Sequence, residues 1–281
     1  MNYRHAYHAG NFADVLKHAA LVAVLLHLRK KETPFAVIDT HGGRGLYDIA
    51  GPEAIKTGEA ADGIGRLMPL DAVPGVLSPY RDLVRGFGDG FYPGSPLIAA
   101  RLLRAKDRLI AIEKHPEEYA ALAAALAGVP GTRAVKGDGY RELARLLPPP
   151  ERRGLVLIDP PYEAVDEFAQ ATRAAVAAHR RFATGIILLW YPAKERPAIE
   201  ASAGELLNAG VSSLLKVELD VDAPQSAVAG GRGPPLSAAG LLVVNPPFGF
   251  AGEMKTILAF LARTLPQGPD ARGIVHGFAE R

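Results

Sequence analysis

Five short runs rich in valine, isoleucine and leucine alternate with helical patterns, and this alternation constrains the fold more than any other feature of the chain. The runs are FAVIDT (35–40), RLIAIEK (108–114), TRAVKGD (132–138), GLVLIDP (154–160) and GIILLWY (185–191). Most are continuously apolar rather than alternating, as expected of strands covered on both faces. Between them, HPEEYAALAAALAG (115–128) offers Pro116 for a first helical turn and Gly128 for a C-terminal cap. GYRELARLL (139–147) and EFAQATRAAVAAHRRF (167–182) repeat the helical spacing. Strand–helix alternation predicts an α/β fold, a mostly parallel sheet with helices on both faces.

The end of the chain changes habit. VSSLLKVELDV (211–221) and SAAGLLVVNPP (237–247) are strand-like, joined by a Gly/Pro-rich stretch with no helix between them. They predict an antiparallel hairpin that brings the sheet to seven strands, followed by a helix in GEMKTILAFLARTL. Residues 51–94 break the alternation earlier, with short helical patterns at 53–68 and 79–87. They read as a small helical insertion, leaving 1–50 and 95–281 as the core. Ser95-Pro96 reads as an N-cap and first-turn proline opening the next helix.

Composition narrows the class. The chain has 281 residues, 48% hydrophobic and 22% charged, as a soluble globular protein does. No apolar run approaches the roughly 18 residues needed to span a membrane. AALVAVLLHL is followed by Arg29, Lys30 and Lys31, whereas a signal peptide carries its positive charge before the apolar run. A cytoplasmic location is expected. The absence of cysteine excludes disulfides, thiolate zinc sites and a cysteine nucleophile. With a net charge of only +2, nucleic-acid binding would rest on local basic patches. Candidates are Arg29–Lys31, Arg101/Arg104/Lys106/Arg108, Arg152/Arg153 and Arg180/Arg181, each of which also reads as a solvated helix end.

In open α/β sheets ligands bind beyond the carboxyl ends of the strands. There the chain carries DTHGGRG, then Glu113, then Asp138 in GDG, then Asp159-Pro160-Pro161-Tyr162. His41-Gly42-Gly43-Arg44-Gly45 lacks the Gly-Lys-Ser/Thr of a phosphate loop and the G-x-G-x-x-G of a dinucleotide site; a plain turn and a ligand contact both remain open. Glu113 suits two ribose hydroxyls or a solvated strand end. Asp138 suits an adenine amino group. Together they suggest an adenosine-containing cofactor and argue against a nicotinamide oxidoreductase. His5, His8, His18 and His41 have no accompanying carboxylate cluster, so hydrogen-bonding roles are expected and no metal.

The Asp159–Tyr162 tetrapeptide resembles the Asp/Asn-Pro-Pro-aromatic motif of amino-group methyltransferases that use S-adenosylmethionine. An exocyclic adenine amine is a poor nucleophile because its lone pair is delocalised into the ring. Asp159 and a backbone carbonyl of the stiff Pro160-Pro161 turn can each accept one N–H and orient the nitrogen. Tyr162 offers a ring for stacking on an extruded base. Trp190-Tyr191-Pro192 can wall a base pocket or simply pack. A second copy of the pattern, LLVVNPPFG (241–249), ends the late hairpin strand. If that strand is antiparallel, Asn245 lies at the opposite edge as a turn residue.

These motifs, with MNYRHAYHAGNFADVLKH at the start, YPGSPLIA, RRGLVLIDPPYE and FATGIILLWYP, resemble the RlmJ family of 23S ribosomal RNA adenine-N6 methyltransferases from near residue 1 to beyond residue 250. The resemblance implies a class I, Rossmann-like methyltransferase core with a helical insertion and an N-terminal segment over the cofactor site. It implies S-adenosylmethionine contacts at Lys17, His18, His41, Ser95, Glu113, Asp138, Gly139 and Asp159. Catalysis would fall to Asp159, Pro160 and Tyr162, and contact with 23S ribosomal RNA to Tyr3, His5, Lys17 and Tyr162. A monomer is expected. This chain has Gly-Gly-Arg-Gly after His41 where the family more often has Ala-Gly-x-Gly. The residues themselves support a cap at Asn11 and an apolar stripe of Val15, Leu16, Ala19, Ala23 and Leu26, with Lys17 and His18 off its centre and free to enter a cleft. The competing readings are a DNA adenine or protein-glutamine N-methyltransferase and a non-catalytic RNA-binding module.

Overall fold

The structure, a computed structural model, describes residues 5–224 and 235–278. Of the expected site residues, Tyr3 lies outside these. In chain order the elements are α1 (Phe12–Arg29), β1 (Ala36–Asp39), β2 (Leu46–Asp48), the short helices α2 (Pro52–Thr57), α3 (Glu59–Asp62) and α4 (Ile64–Leu67), then α5 (Ser78–Arg85) and β3 (Phe91–Pro93). There follow α6 (Ser95–Leu102), β4 (Arg108–Glu113), α7 (Pro116–Ala125), β5 (Thr132–Lys136), α8 (Gly139–Leu146), β6 (Gly154–Ile158), α9 (Glu167–Arg181) and β7 (Ile186–Pro192). The last are α10 (Arg196–Asn208), β8 (Leu214–Asp220), β9 (Ala238–Val244), α11 (Phe250–Thr264) and β10 (Arg272–Phe278).

The main sheet has the order β10-β8-β9-β7-β6-β1-β4-β5. The five strands from β7 to β5 are parallel, and β9 runs antiparallel between β7 and β8. Every residue of β1 and β6 is buried, which is why both read as unbroken apolar runs. Their side chains alternate: Val37, Leu155 and Leu157 join the cluster containing α1, α6 and α11, while Ile38, Val156 and Ile158 pack under α8, α9 and α10.

The sheet carries an eighth strand that the sequence reading did not anticipate. β10 pairs antiparallel with β8 at the edge, and its residues are half-buried or exposed, so it lacks an apolar signature. Gly273 lets it cross α11 closely, since a Cβ there would meet Leu258 at 2.5 Å. A small ribbon of β2 and β3 also went unread, being three residues per strand. It brackets α2–α5, whose Ile64, Leu67, Tyr80 and Val84 join the same apolar cluster as α1.

Two local expectations are corrected. Helix α1 is not one-sided: Val15 through Leu25 are all buried, because the sheet, the inserted helices, α6 and α11 surround it. Ser95 is the first residue of α6 rather than its N-cap, a place taken by Gly94. Asn11 does cap α1, its side chain accepting from the Asp14 amide.

Candidate active site

The carboxyl end of β1 is fixed by backbone and side chain together. Thr40 donates its hydroxyl proton to the Leu157 carbonyl at 3.0 Å, so its oxygen accepts from His41 Nδ1 at 2.8 Å. His41 Nε2 is thereby left as an acceptor, and burial lowers this imidazole to about 4, keeping it neutral. The glycine turn is tied to the next strand: Gly42 N donates to the Ile112 carbonyl and Gly43 N to Glu113 Oε2 at 2.9 Å. Gly43 has φ +59°, and a Cβ on it would lie 2.1 Å from the Tyr47 hydroxyl. Glu113 Oε1 accepts from His115 N at 2.7 Å. At β5 Asp138 caps α8 and accepts from Lys114 at 3.1 Å. Gly139 sits against β1 so closely that a Cβ would be 2.2 Å from the Thr40 carbonyl oxygen.

Asp39 is buried beneath this edge and accepts from Ser95 Oγ at 2.6 Å and, more weakly, from His41 N. Burial pushes its carboxyl up to about 6, against the hydrogen bond from Ser95 and with help from the nearby Asp159 charge. The folded value exceeds the unfolded one of about 3.9, so the folded chain holds a proton that the unfolded chain releases. This contribution to stability therefore declines as pH rises from about 4 to about 6. Asp39→Asn is expected to remove that part of the slope, read from urea midpoints across this range. An unaltered slope would assign the titration elsewhere.

Lys17 is the centre of the second half of the site. Only 4% exposed, it is not free in the cleft: its ammonium lies 2.8 Å from Asp14 Oδ1 and 2.5 Å from Asp159 Oδ2. Burial works against the charge, but the two carboxylates outweigh it and raise the Lys17 pKa. Asp14 also accepts from His5 Nε2 and Gly10 N, each at 2.9 Å. Its own burial is outweighed by His5 and Lys17, which hold its carboxyl well below the usual range. The spacing of three between Asp14 and Lys17 on α1 is the sequence signal for this pair. His18, one position on, is held near 3 by burial and bonds the Tyr92 hydroxyl through Nδ1 at 2.7 Å.

Beyond Asp159 the Pro160-Pro161 turn ends in Tyr162 at φ +53°. The Tyr162 hydroxyl donates to the Trp190 carbonyl at 2.6 Å, and its ring stands 4.5 Å from Phe168 and 5.6 Å from Trp190. Glu167 steadies the following loop by accepting from the Glu163 and Ala164 amides. The other Pro-Pro segment lies at the far edge: Val244 pairs with Ile187 at the start of β7. Asn245, also at φ +53°, spends its amide on the Ala183 and Gly185 carbonyls at 2.8 Å each.

One cleft of about 1120 Å³ takes in His5, Lys17, His18, His41, Ser95, Glu113, Asp138, Gly139, Asp159, Pro160 and Tyr162. The structure thus brings together every described residue expected at the site; of the Trp190-Tyr191-Pro192 run, Trp190 and Pro192 line the cleft while Tyr191 packs in the core against Glu218. With His18 and His41 neutral and Lys17 committed to two acids, the carboxylates give the cleft an acidic field suited to a cationic ligand. Three buried donor or acceptor atoms on its lining, His18 Nε2, His115 Nδ1 and Trp190 Nε1, have no partner among the described residues. Unpaired buried polar atoms are costly and are expected where a ligand completes them. The four N-terminal and central histidines are otherwise occupied: His5 on Asp14, His8 on Glu59, His18 on Tyr92, His41 on Thr40. Among the described residues no group of three or more His, Asp or Glu could hold a metal, and no helix is long and apolar enough to cross a membrane.

A parallel sheet with an antiparallel strand beyond β7, acids at the ends of β1 and β4, and an Asp-Pro-Pro-Tyr turn after β6 together make the class I methyltransferase fold. Comparison with known proteins agrees. The family model for "Ribosomal RNA large subunit methyltransferase D, RlmJ" matches residues 32–275. Ribosomal RNA large subunit methyltransferase J of Escherichia coli is 38% identical, and that of Haemophilus influenzae 39%, each match covering 95% of both chains. The crystal structure of protein LPL1258 from Legionella pneumophila superposes with a TM-score of 0.86 at 31% identity, covering 97% of this chain and 98% of that one. The chain belongs to the RlmJ family of ribosomal RNA large subunit methyltransferases.

Proposed function

We propose that this enzyme transfers a methyl group from S-adenosylmethionine to N6 of one adenine in 23S ribosomal RNA, acting as a cytoplasmic monomer. The observation that carries the reading is the Asp159 carboxylate, held by Lys17 at the carboxyl end of β6 inside a cleft with partnerless polar atoms. When bound, the cofactor supplies an electrophilic methyl on a sulfonium. Glu113 receives the ribose hydroxyls and Asp138 the adenine amine, while His18, His41, Ser95, Lys17 and Gly139 line the remainder of the cofactor. His5 faces the target nucleotide, a contact that the family resemblance also assigns to Tyr3. Residues 1–50 and 95–281 form the catalytic core, and the insertion at 51–94 roofs the cleft through Lys56 and Glu59.

Asp159 and the Pro160 carbonyl each accept one N–H of the target amine, turning the nitrogen lone pair out of the ring plane. As the N–C bond forms and the S–C bond breaks, positive charge appears on N6. The adjacent Asp159 carboxylate stabilises it, and N6 then gives one proton to solvent. Tyr162 and Trp190 offer aromatic faces to the base.

Labelled cofactor given to separate pools of ribosomal RNA, DNA and protein tests the reading. Label is expected in RNA, recovered as N6-methyladenosine from a single 23S position. Label in DNA or in glutamine would favour the corresponding N-methyltransferase, and a protein that neither binds cofactor nor transfers label would be a binding module.

A further inference from the structure

Several arginines of the basic patches are held by the fold. Arg104 donates to Asp107 and to the carbonyls of Lys31 and Thr33; Arg108 pairs with Glu151; Arg153 donates to the carbonyls of Thr33 and Leu28. Arg173 and Arg180, like Arg29, Lys30, Lys31, Lys106 and Arg152, are not held in this way, but they alone of these line a groove. Both are exposed, and neither makes an ion pair or a side-chain hydrogen bond among the described residues. With Arg181 they line an open groove of about 570 Å³ between α9 and α10, which also holds Glu205.

The same helix reaches the active-site cleft. Gln170, which lines the cleft, is followed at spacings of three, four and three by Arg173, Ala177 and Arg180, so one face of α9 leads from the cleft into the groove. From Gln170 to Arg180 this face extends about 15 Å. A favourable interaction with the helix dipole accounts for Arg180 and Arg181 in the last turn, but not for Arg173 in mid-helix.

We propose that this face of α9 binds the phosphate backbone of the RNA strand leaving the cleft, a surface that rests on the RNA reading above. Guanidinium groups free of internal partners grip phosphates by paired N–H donors without reading sequence. Glu205, standing in the same groove, opposes the strand and limits its affinity.

The test is fluorescence anisotropy of a 23S transcript containing the target adenine, titrated at several salt concentrations. Arg173→Gln/Arg180→Gln is expected to weaken binding roughly tenfold or more near 0.15 M salt, and to flatten the log–log salt slope by about 1.4–1.8. Glu205→Gln is expected to tighten binding a few-fold, a gain that damage to the fold would not produce. Melting temperature and affinity for S-adenosylhomocysteine monitor folding of each variant. A wild-type protein that methylates RNA, with an unchanged slope in the double variant and no gain in Glu205→Gln, overturns this surface. A wild-type protein that labels DNA or protein instead of RNA overturns the functional reading itself.

Discussion

Asp159→Ala is expected to reduce methyl transfer at least about a thousandfold, roughly 4 kcal/mol of transition-state stabilisation, while cofactor affinity stays within a few-fold. The fold should survive the change. Lys17 keeps Asp14 at 2.8 Å, so its buried ammonium is not left unpaired. Asp159→Asn is the more informative partner. With the Lys17 ammonium beside it, the amide turns its oxygen to the cation and its NH₂ toward the amine, presenting a donor where an acceptor is needed. The asparagine variant should therefore be nearly as slow as the alanine one. Single-turnover methylation of the RNA, with calorimetry of S-adenosylhomocysteine binding, separates the two quantities. A near-normal rate in either variant removes Asp159 from the role of acceptor.

The choice of Asp159 over Asn245 shows what a sequence can decide. Both follow buried strands and lead into Pro-Pro turns, and local pattern alone does not separate them. Strand direction does: the parallel register of β6 puts Asp159 at the ligand edge, and the antiparallel register of β9 puts Asn245 at the other. Direction was legible because the sequence between the two runs is Gly/Pro-rich and carries no helical pattern for a crossover. What was not legible depends on neighbours distant in sequence. β10 is polar enough to read as loop, and only β8 and α11 make it a strand. Helix α1 looked one-sided because Lys17 and His18 are polar; their burial depends on Asp159, 142 residues away, and Tyr92, 74 residues away. Asp39 was visible as a strand-ending acid, but its bond to Ser95 spans 56 residues and the insertion.

The other large effect is expected at Lys17, and its size depends on pH. Lys17→Met fills a similar volume but leaves Asp14 and Asp159 facing each other without the cation between them. Removing one member of a buried ionic cluster costs about 3–5 kcal/mol, because the remaining charges stay desolvated; Asp14 keeps His5 and the Gly10 amide, while Asp159 loses its cation. In the native protein Asp14 is depressed below its unfolded value. Its contribution is complete above about pH 4 and is lost as acid carries pH down through the folded value. Without Lys17, burial and mutual repulsion raise the pair instead, and one carboxyl takes up a proton on folding. The variant should then gain more stability between pH 8 and pH 5.5 than the native protein, whose own slope there comes from Asp39. Asp14→Asn in the Lys17→Met background removes one of the opposed charges, so it should restore most of the loss at pH 8 and return the pH dependence to the native slope set by Asp39. Urea unfolding at both pH values checks all three proteins, and methylation at pH 8 should be lost in each variant, since Asp159 no longer has a cation to orient it. A Lys17→Met protein with the native pH slope would mean that solvent, rather than Lys17, balances these two acids.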